Sequence, residues 1–218
     1  MALVVLGIDP GLTRCGIGVV SGPPAQPVHV HHDCVRTAAD VPLERRLHAI
    51  HAAVEAAIAD HRPDVVAVER VLFSNNVRTA MGTAQAAGVA MLAGAAAGLD
   101  VVQLTPTDVK ATVTGDGAAD KDGVARMVTA QLRLAATPRP ADAADALAVA
   151  LAALARQRLA PAGGHPSATR AATTAAAGGA GGGATSWEHL IATRAVRVAG
   201  GTSSADARPA SQPDRRTS

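Results

Sequence analysis

The apolar positions change period several times along the chain. Leu3 to Ile8 form a nearly continuous apolar run that ends on Asp9, which predicts a buried strand over Leu3–Asp9. Gly16–Val20 and Val28–Val35 predict two more strands, the first joined to Leu3–Asp9 by the turn "PGLTRC". Three strands so closely spaced predict an antiparallel meander. From Leu43 the spacing becomes helical: Leu43, Leu47, Ile50, Val54 and Ile58 share one face of a helix over about 42–60, and Pro63 ends it. Val65–Val68 is a short apolar strand between Asp64 and Glu69. Residues 77–97 form a small-residue helix with Met81, Val89 and Leu92 among many alanines, and Val101–Leu104 is a further strand. Thr105 or Thr107 caps a helix running to about Thr114, and two more helices follow at about 121–134 and 141–157. Hairpin strands followed by strands alternating with helices predict an α/β fold, a mixed five-stranded sheet covered by helices.

The pattern fails near Arg158. Residues 161–186 are rich in Ala, Gly, Ser and Thr and lack the apolar side chains to build a core. The expected organisation is a folded domain over 1–158 and a low-complexity, disordered tail over 159–218. Within the tail, Trp187–Val198 is amphipathic enough for a short helix, either an idle patch or a partner-binding peptide.

The formal net charge of +2 and a pI near 8.9 permit nucleic acid as a partner without requiring it. Cys15 and Cys34 make no framework of spacings, so a reduced, cytoplasmic chain is expected. No basic, apolar leader opens the sequence, and no apolar run nears the roughly 20 residues of a membrane span. Aromatic residues are 1% of the chain, with alanine filling the helices instead.

Carboxylates carry the candidate chemistry. Two predicted buried strands end on acids, "VVLGID" on Asp9 and "DVVAVE" on Glu69. If those strands are neighbours, both side chains leave the same edge of the sheet. Asp142 and Asp145 lie three apart in "PADAADALAVALAAL" and share a helix face. Each acid alone also fits a turn or a cap, Asp142 as the cap of the last helix. Together, four carboxylates repel: a pair at 4 Å costs about 4 kcal/mol at an effective dielectric of 20. Carboxylate oxygens suit hard cations such as Mg²⁺ or Mn²⁺, and two such ions serve in-line phosphodiester hydrolysis.

The stretches "LGIDPGLTRCGIGVV", "DVVAVERVLFSNNVRTAMGTAQAAGV", "TPTDVKATVTGDGAADKDGVARMV" and "ADAADALAVA" follow one another across residues 1–157. In order and spacing they resemble the RuvC-type crossover-junction endodeoxyribonucleases, Holliday-junction resolvases of the RNase H-like superfamily. The resemblance implies that Asp9, Glu69, Asp142 and Asp145 are catalytic and bind two Mg²⁺ ions, with Mn²⁺ as a substitute. It implies a homodimer that nicks two strands of four-way junction DNA symmetrically in recombination and repair, working with the RuvA–RuvB branch-migration complex. Lys110 and Lys121 match family lysines near the DNA and the active site. A lysine there either stabilises developing charge or holds a backbone phosphate. The helix over 77–97 matches the family's dimer region.

Further DNA contacts are expected from Leu72, Phe73, Asn76 and Arg78, with Arg70 and Arg126 as undistinguished additional cations. Leu72 stands where the family has an aromatic residue; Phe73 either stacks on a base, worth about 1–3 kcal/mol, or packs in the core. Asn75 replaces a family lysine and Asp116 a neutral residue, and both weaken the expected grip on DNA. The alternatives within reach of the same residues are a superfamily relative that cuts structured RNA and a junction-binding dimer that does not cut. "GIDPG" is also similar to the phosphate loop of actin-like ATPases, but the foldable core is too short for two such domains and shows no second loop. In "HVHHDC", strict alternation puts His29 and His31 on one face and His32 and Cys34 on the other, which divides any zinc set.

Overall fold

The computed structural model describes residues 2–71 and 77–157. Three strands open the chain: β1 (Val4–Asp9), β2 (Arg14–Ser21) and β3 (Val28–Arg36). Then come α1 (Leu43–His61), β4 (Val65–Glu69), α2 (Val77–Ala96), β5 (Asp100–Leu104), α3 (Pro106–Thr114), α4 (Lys121–Gln131) and α5 (Ala141–Gln157). The five strands make one sheet in the order β3-β2-β1-β4-β5, with β1–β2 and β2–β3 antiparallel and β1–β4 and β4–β5 parallel. This is the expected mixed sheet flanked by helices.

Strand alternation divides the core between the two faces. Leu6, Ile8, Ile17, Val19, Val66 and Val68 pack beneath α1 and α2 with Ile50, Val54 and Ala90. Val5, Val20, Ala67 and Leu104 face α5, whose Leu147, Leu151 and Leu154 fill that side together with Val113 of α3 and Val128 of α4. Residues 143, 144 and 146–154 are buried on every side, because α5 lies between the sheet and the α3–α4 pair. An alanine-rich helix suits that position: it presents little bulk in any direction, and its backbone lies almost on the strands.

Three glycines permit that approach. A Cβ on Gly7 would overlap the Ala146 carbonyl, one on Gly16 the Asp142 carbonyl, and one on Gly18 would lie 2.6 Å from the Leu147 nitrogen. Gly7, Gly16 and Gly18 all point to the α5 face, so β1 and β2 offer α5 a groove without side chains.

Several element ends depart from the sequence pattern. β2 begins at Arg14, two residues before the predicted start, because Arg14 and Cys15 already pair with Arg36 and Val35. On α1, Leu43 is 41% exposed, and the buried first-turn position belongs to Arg46. Its guanidinium is satisfied: Nε donates to Thr37 Oγ1 at 2.8 Å and Nη2 to Thr13 Oγ1 at 3.0 Å. The Thr37 hydroxyl in turn donates to the Leu12 carbonyl. α4 stops at Gln131 rather than near 134, where Arg133 takes a left-handed φ of 52°. On α2 the small residues Gly82, Ala86, Ala90 and Ala93 face the sheet, while Val77, Met81 and Leu92 face outward.

The histidine run is arranged differently from simple alternation. A bulge leaves Val30 without a partner, so His29 pairs with Val20 and His31 with Val19. His29 and His32 therefore share the α5 face, with Nε2 and Nδ1 2.8 Å apart, while His31 stacks on His61 of α1 at 4.8 Å. The bulge adds one residue to the strand and so reverses the face of everything before it.

Candidate active site

The site is built where β1 and β4 end. They are parallel neighbours, with Ile8 opposite Val68, so the next residue on each strand is an acid. Asp9 and Glu69 share a face with Gly7 and Ala67, which is the α5 face. The first turn of α5 then supplies Asp142 and, one turn on, Asp145. Asp142 is drawn close because Gly16 opposite Asp9 has no side chain to hold the helix away.

The electrostatics are those of a crowded negative pocket. The Asp9 carboxyl is raised from 3.8 to about 8, first by burial and then by the charges of Glu69, Asp145 and Asp142. Glu69 is raised by burial and by Asp145, against the pull of Lys121 and Lys110. Two cations offset part of this repulsion. Lys121 Nζ, on the first residue of α4, lies 3.3 Å from Asp145 Oδ2, and Asp145 in turn raises the lysine's own pKa. Arg14 Nε lies 3.1 Å from Asp142 Oδ2. Among the described residues no three His, Cys, Asp or Glu side chains are gathered into a ready-made ion cage. The carboxylates converge, but Lys121 and Arg14 occupy the two helical ones.

A cleft of about 220 Å³ opens on the Asp9–Glu69 side, lined also by Arg70, Thr79, Thr83 and Pro106. Lys110, on α3, acts on Glu69 through its charge. Arg78 is exposed in the first turn of α2. Leu72, Phe73, Asn75 and Asn76 lie outside the described residues. Asp116 is engaged in its own turn, accepting from the Ala118 amide at 2.8 Å. Asp120 caps α4 through the Gly123 amide.

The sequence pattern gathers the four acids and both lysines but passes over Arg14, the glycines at 16 and 18, and the Arg46–Thr37–Thr13 lock beneath the β1–β2 turn. The glycines were detectable, since they recur with period two in the strand "GIGVV". Arg14 had no such signal, because only the register and the α5 approach bring it to Asp142.

The family model for the crossover junction endodeoxyribonuclease RuvC matches residues 5–153. The crossover junction endodeoxyribonuclease RuvC of Salinispora arenicola is 59% identical over 148 residues, 67% of this chain and 85% of that protein. The RuvC of Rhodococcus opacus is 60% identical over 148 residues, covering 67% of this chain and 78% of its own. Among solved structures, T. thermophilus RuvC in complex with Holliday junction substrate matches with a TM-score of 0.69 at 37% identity, over 72% of this chain and 96% of that one. The yeast mitochondrial Holliday junction resolvase Ydc2 shares the fold, with a TM-score of 0.54 at 12% identity over 71% of this chain and 80% of its own.

Proposed function

This chain belongs to the RuvC family of crossover junction endodeoxyribonucleases, and from that premise we propose that it resolves four-way Holliday junctions by paired, symmetric nicks in DNA recombination and repair. The observation that carries the reading is the meeting of Asp9 and Glu69, at the ends of parallel neighbouring strands, with Asp142 and Asp145 of the helix packed on them.

The donor set fits Mg²⁺, with Mn²⁺ as a substitute: all four side chains offer hard oxygens, and burial together with mutual repulsion raises Asp9 to about 8. Asp9, Glu69, Asp142 and Asp145 would hold two ions. When bound, such ions supply Lewis-acid stabilisation of the attacking water and of the leaving 3′ oxygen. The chain's own groups do the rest. Asp9 and Glu69 are held by strand backbone and define the floor on which a scissile phosphate rests. Lys121 lies against Asp145; drawn toward a phosphate, it offsets developing negative charge. Lys110 adds positive charge on the Glu69 side. The cleft lined by Thr79 and Thr83 offers hydroxyl donors beside the floor.

The active species is a homodimer, each protomer cutting one strand. The outward Val77, Met81 and Leu92 of α2 support that assembly as an apolar face of the kind dimers bury. RuvA–RuvB is the expected branch-migration partner.

The test is incubation with a synthetic four-way junction and Mg²⁺. Symmetric nicks are expected. Cleavage of structured RNA instead, or junction binding without cutting, overturns the proposal. Asp9→Asn and Glu69→Gln should each lose several kcal/mol of transition-state stabilisation, about a thousandfold or more in cutting rate, while junction affinity survives. Cutting that persists in either variant removes that residue from the machinery.

A further inference from the structure

The bulge in β3 sets two histidines against each other. His29 and His32 share one face of the strand because Val30 takes no partner in the ladder. Both side chains are half-buried. Nε2 of His29 and Nδ1 of His32 stand 2.8 Å apart, with the ring planes inclined at 58°. One nitrogen therefore donates and the other accepts, so a single proton lies between two good metal ligands. Burial first, then the charges of His32 and His31, hold His29 below the ordinary imidazole range, which leaves its ring neutral at neutral pH. Among the described residues no carboxylate forms an ion pair with either ring.

Other histidines are engaged differently. His31 stacks on His61 on the opposite face of β3, with ring centres 4.8 Å apart and planes inclined at 27°, so ring faces rather than lone pairs meet there. His51 Nδ1 lies 3.1 Å from Glu55 Oε2. Cys34 lies farther along the α5 face, opposite Gly16, but burial and the charge of Asp142 raise its thiol and keep it protonated. Among the described residues no third His, Cys, Asp or Glu completes a cage around the pair. An ion held there takes two ring nitrogens and fills its other positions with water.

The spacing selects the ion. Two nitrogens bound at right angles, each about 2.0 Å from one ion, stand about 2.8 Å apart, whereas a tetrahedral pair at that bond length stands about 3.3 Å apart. Right-angled coordination by nitrogen and oxygen belongs to Ni²⁺ and Cu²⁺, and imidazole suits both. Mg²⁺ prefers carboxylate and water oxygens, so the four active-site acids and this pair call for different ions.

We propose that His29 and His32 form a two-imidazole chelate for a divalent transition ion of the nickel or copper class, the ion taking the place of the shared proton. That proton passes through solvent to the far nitrogen of the donating ring. Both rings stay neutral, and both facing nitrogens then carry lone pairs. The ion ties together residues on either side of the bulge and so fixes the edge strand of the sheet. None of this rests on the nuclease reading.

The experiment titrates the untagged full-length protein with Ni²⁺, which does not oxidise the two cysteines, in excess Mg²⁺ to fill the carboxylate site. Calorimetry measures the affinity. His29→Ala and His32→Ala should each weaken Ni²⁺ binding by at least about tenfold, because either loss turns a chelate into a single contact. His51→Ala, the control for removing a histidine, should stay within about twofold of wild type. In wild type, paramagnetic Ni²⁺ should broaden the His29 and His32 imidazole NMR signals before those of His31 and His61. Wild-type affinity in either variant, with a native melting temperature in EDTA, overturns the proposal. So does binding that excess Mg²⁺ abolishes, since the ion would then sit among the acids. First broadening at other histidines overturns it without any variant.

Discussion

Among the described residues, Asp9 carries the carboxyl raised furthest from its ordinary value. Its carboxyl is raised to about 8 in the folded state against 3.8 in an unfolded chain, by burial first and neighbouring acids second. The folded form therefore binds the proton more tightly, and that contribution is complete below about pH 4 and lost as pH rises through about 8. Glu69 shifts in the same direction. The metal-free protein should accordingly melt at a lower temperature at pH 8.5 than at pH 5. In thermal scans with EDTA, Asp9→Asn should remove most of that difference. Mg²⁺ should restore the wild type at high pH and leave the variant little changed, because an ion that binds only the folded form stabilises it by mass action. At the same scale, the buried Arg46 should matter through its two threonine partners. Arg46→Met leaves Thr13 and Thr37 without that donor and should cost about 1–3 kcal/mol, read from urea unfolding.

Among the elements, α5 decides whether a site exists at all. It carries two of the acids, and it reaches the strand ends only because Gly7, Gly16 and Gly18 leave its path clear. Gly18→Ala meets the backbone at Leu147 and should destabilise by about 1–3 kcal/mol, as overpacking does. Gly16→Ala presses on Asp142 itself, so its cutting rate should fall further than its stability. A melting curve and a junction-cutting rate on both variants separate the two effects. The acids' strand-end and helix-face positions were legible in "VVLGID", "DVVAVE" and "ADAAD", because periods of two and 3.6 are local properties of the backbone. Leu43 and the end of α4 were misplaced for the same reason. Periodicity registers apolar spacing, but not a buried arginine satisfied by hydroxyls, nor a helix stopped by a left-handed Arg133.

For the whole molecule, the family model ends at residue 153 and the apolar pattern fails near Arg158. A chain truncated after Arg158 should keep its melting temperature and its junction-cutting rate within about twofold, which calorimetry and a cutting assay measure directly. A large loss of either would mean that residues 159–218 belong to the functional unit. The molecule's modest net charge of +2 conceals an uneven distribution. Arg14, Arg36, Lys121, Arg126 and Arg139 gather on the face that also carries the acids. A nuclease needs that combination, since a floor negative enough to hold cations must also be made approachable for a polyanion.

Spacing along the chain was enough for the alternation of strands and helices and for the placing of acids at the ends of two buried strands. These follow from side-chain spacing along a single segment. Tertiary structure alone decided that Arg14 meets Asp142 and that His29 shares a face with His32 across the Val30 bulge. Each of those depends on strand register or on the distance between packed elements, and no window along the chain contains either.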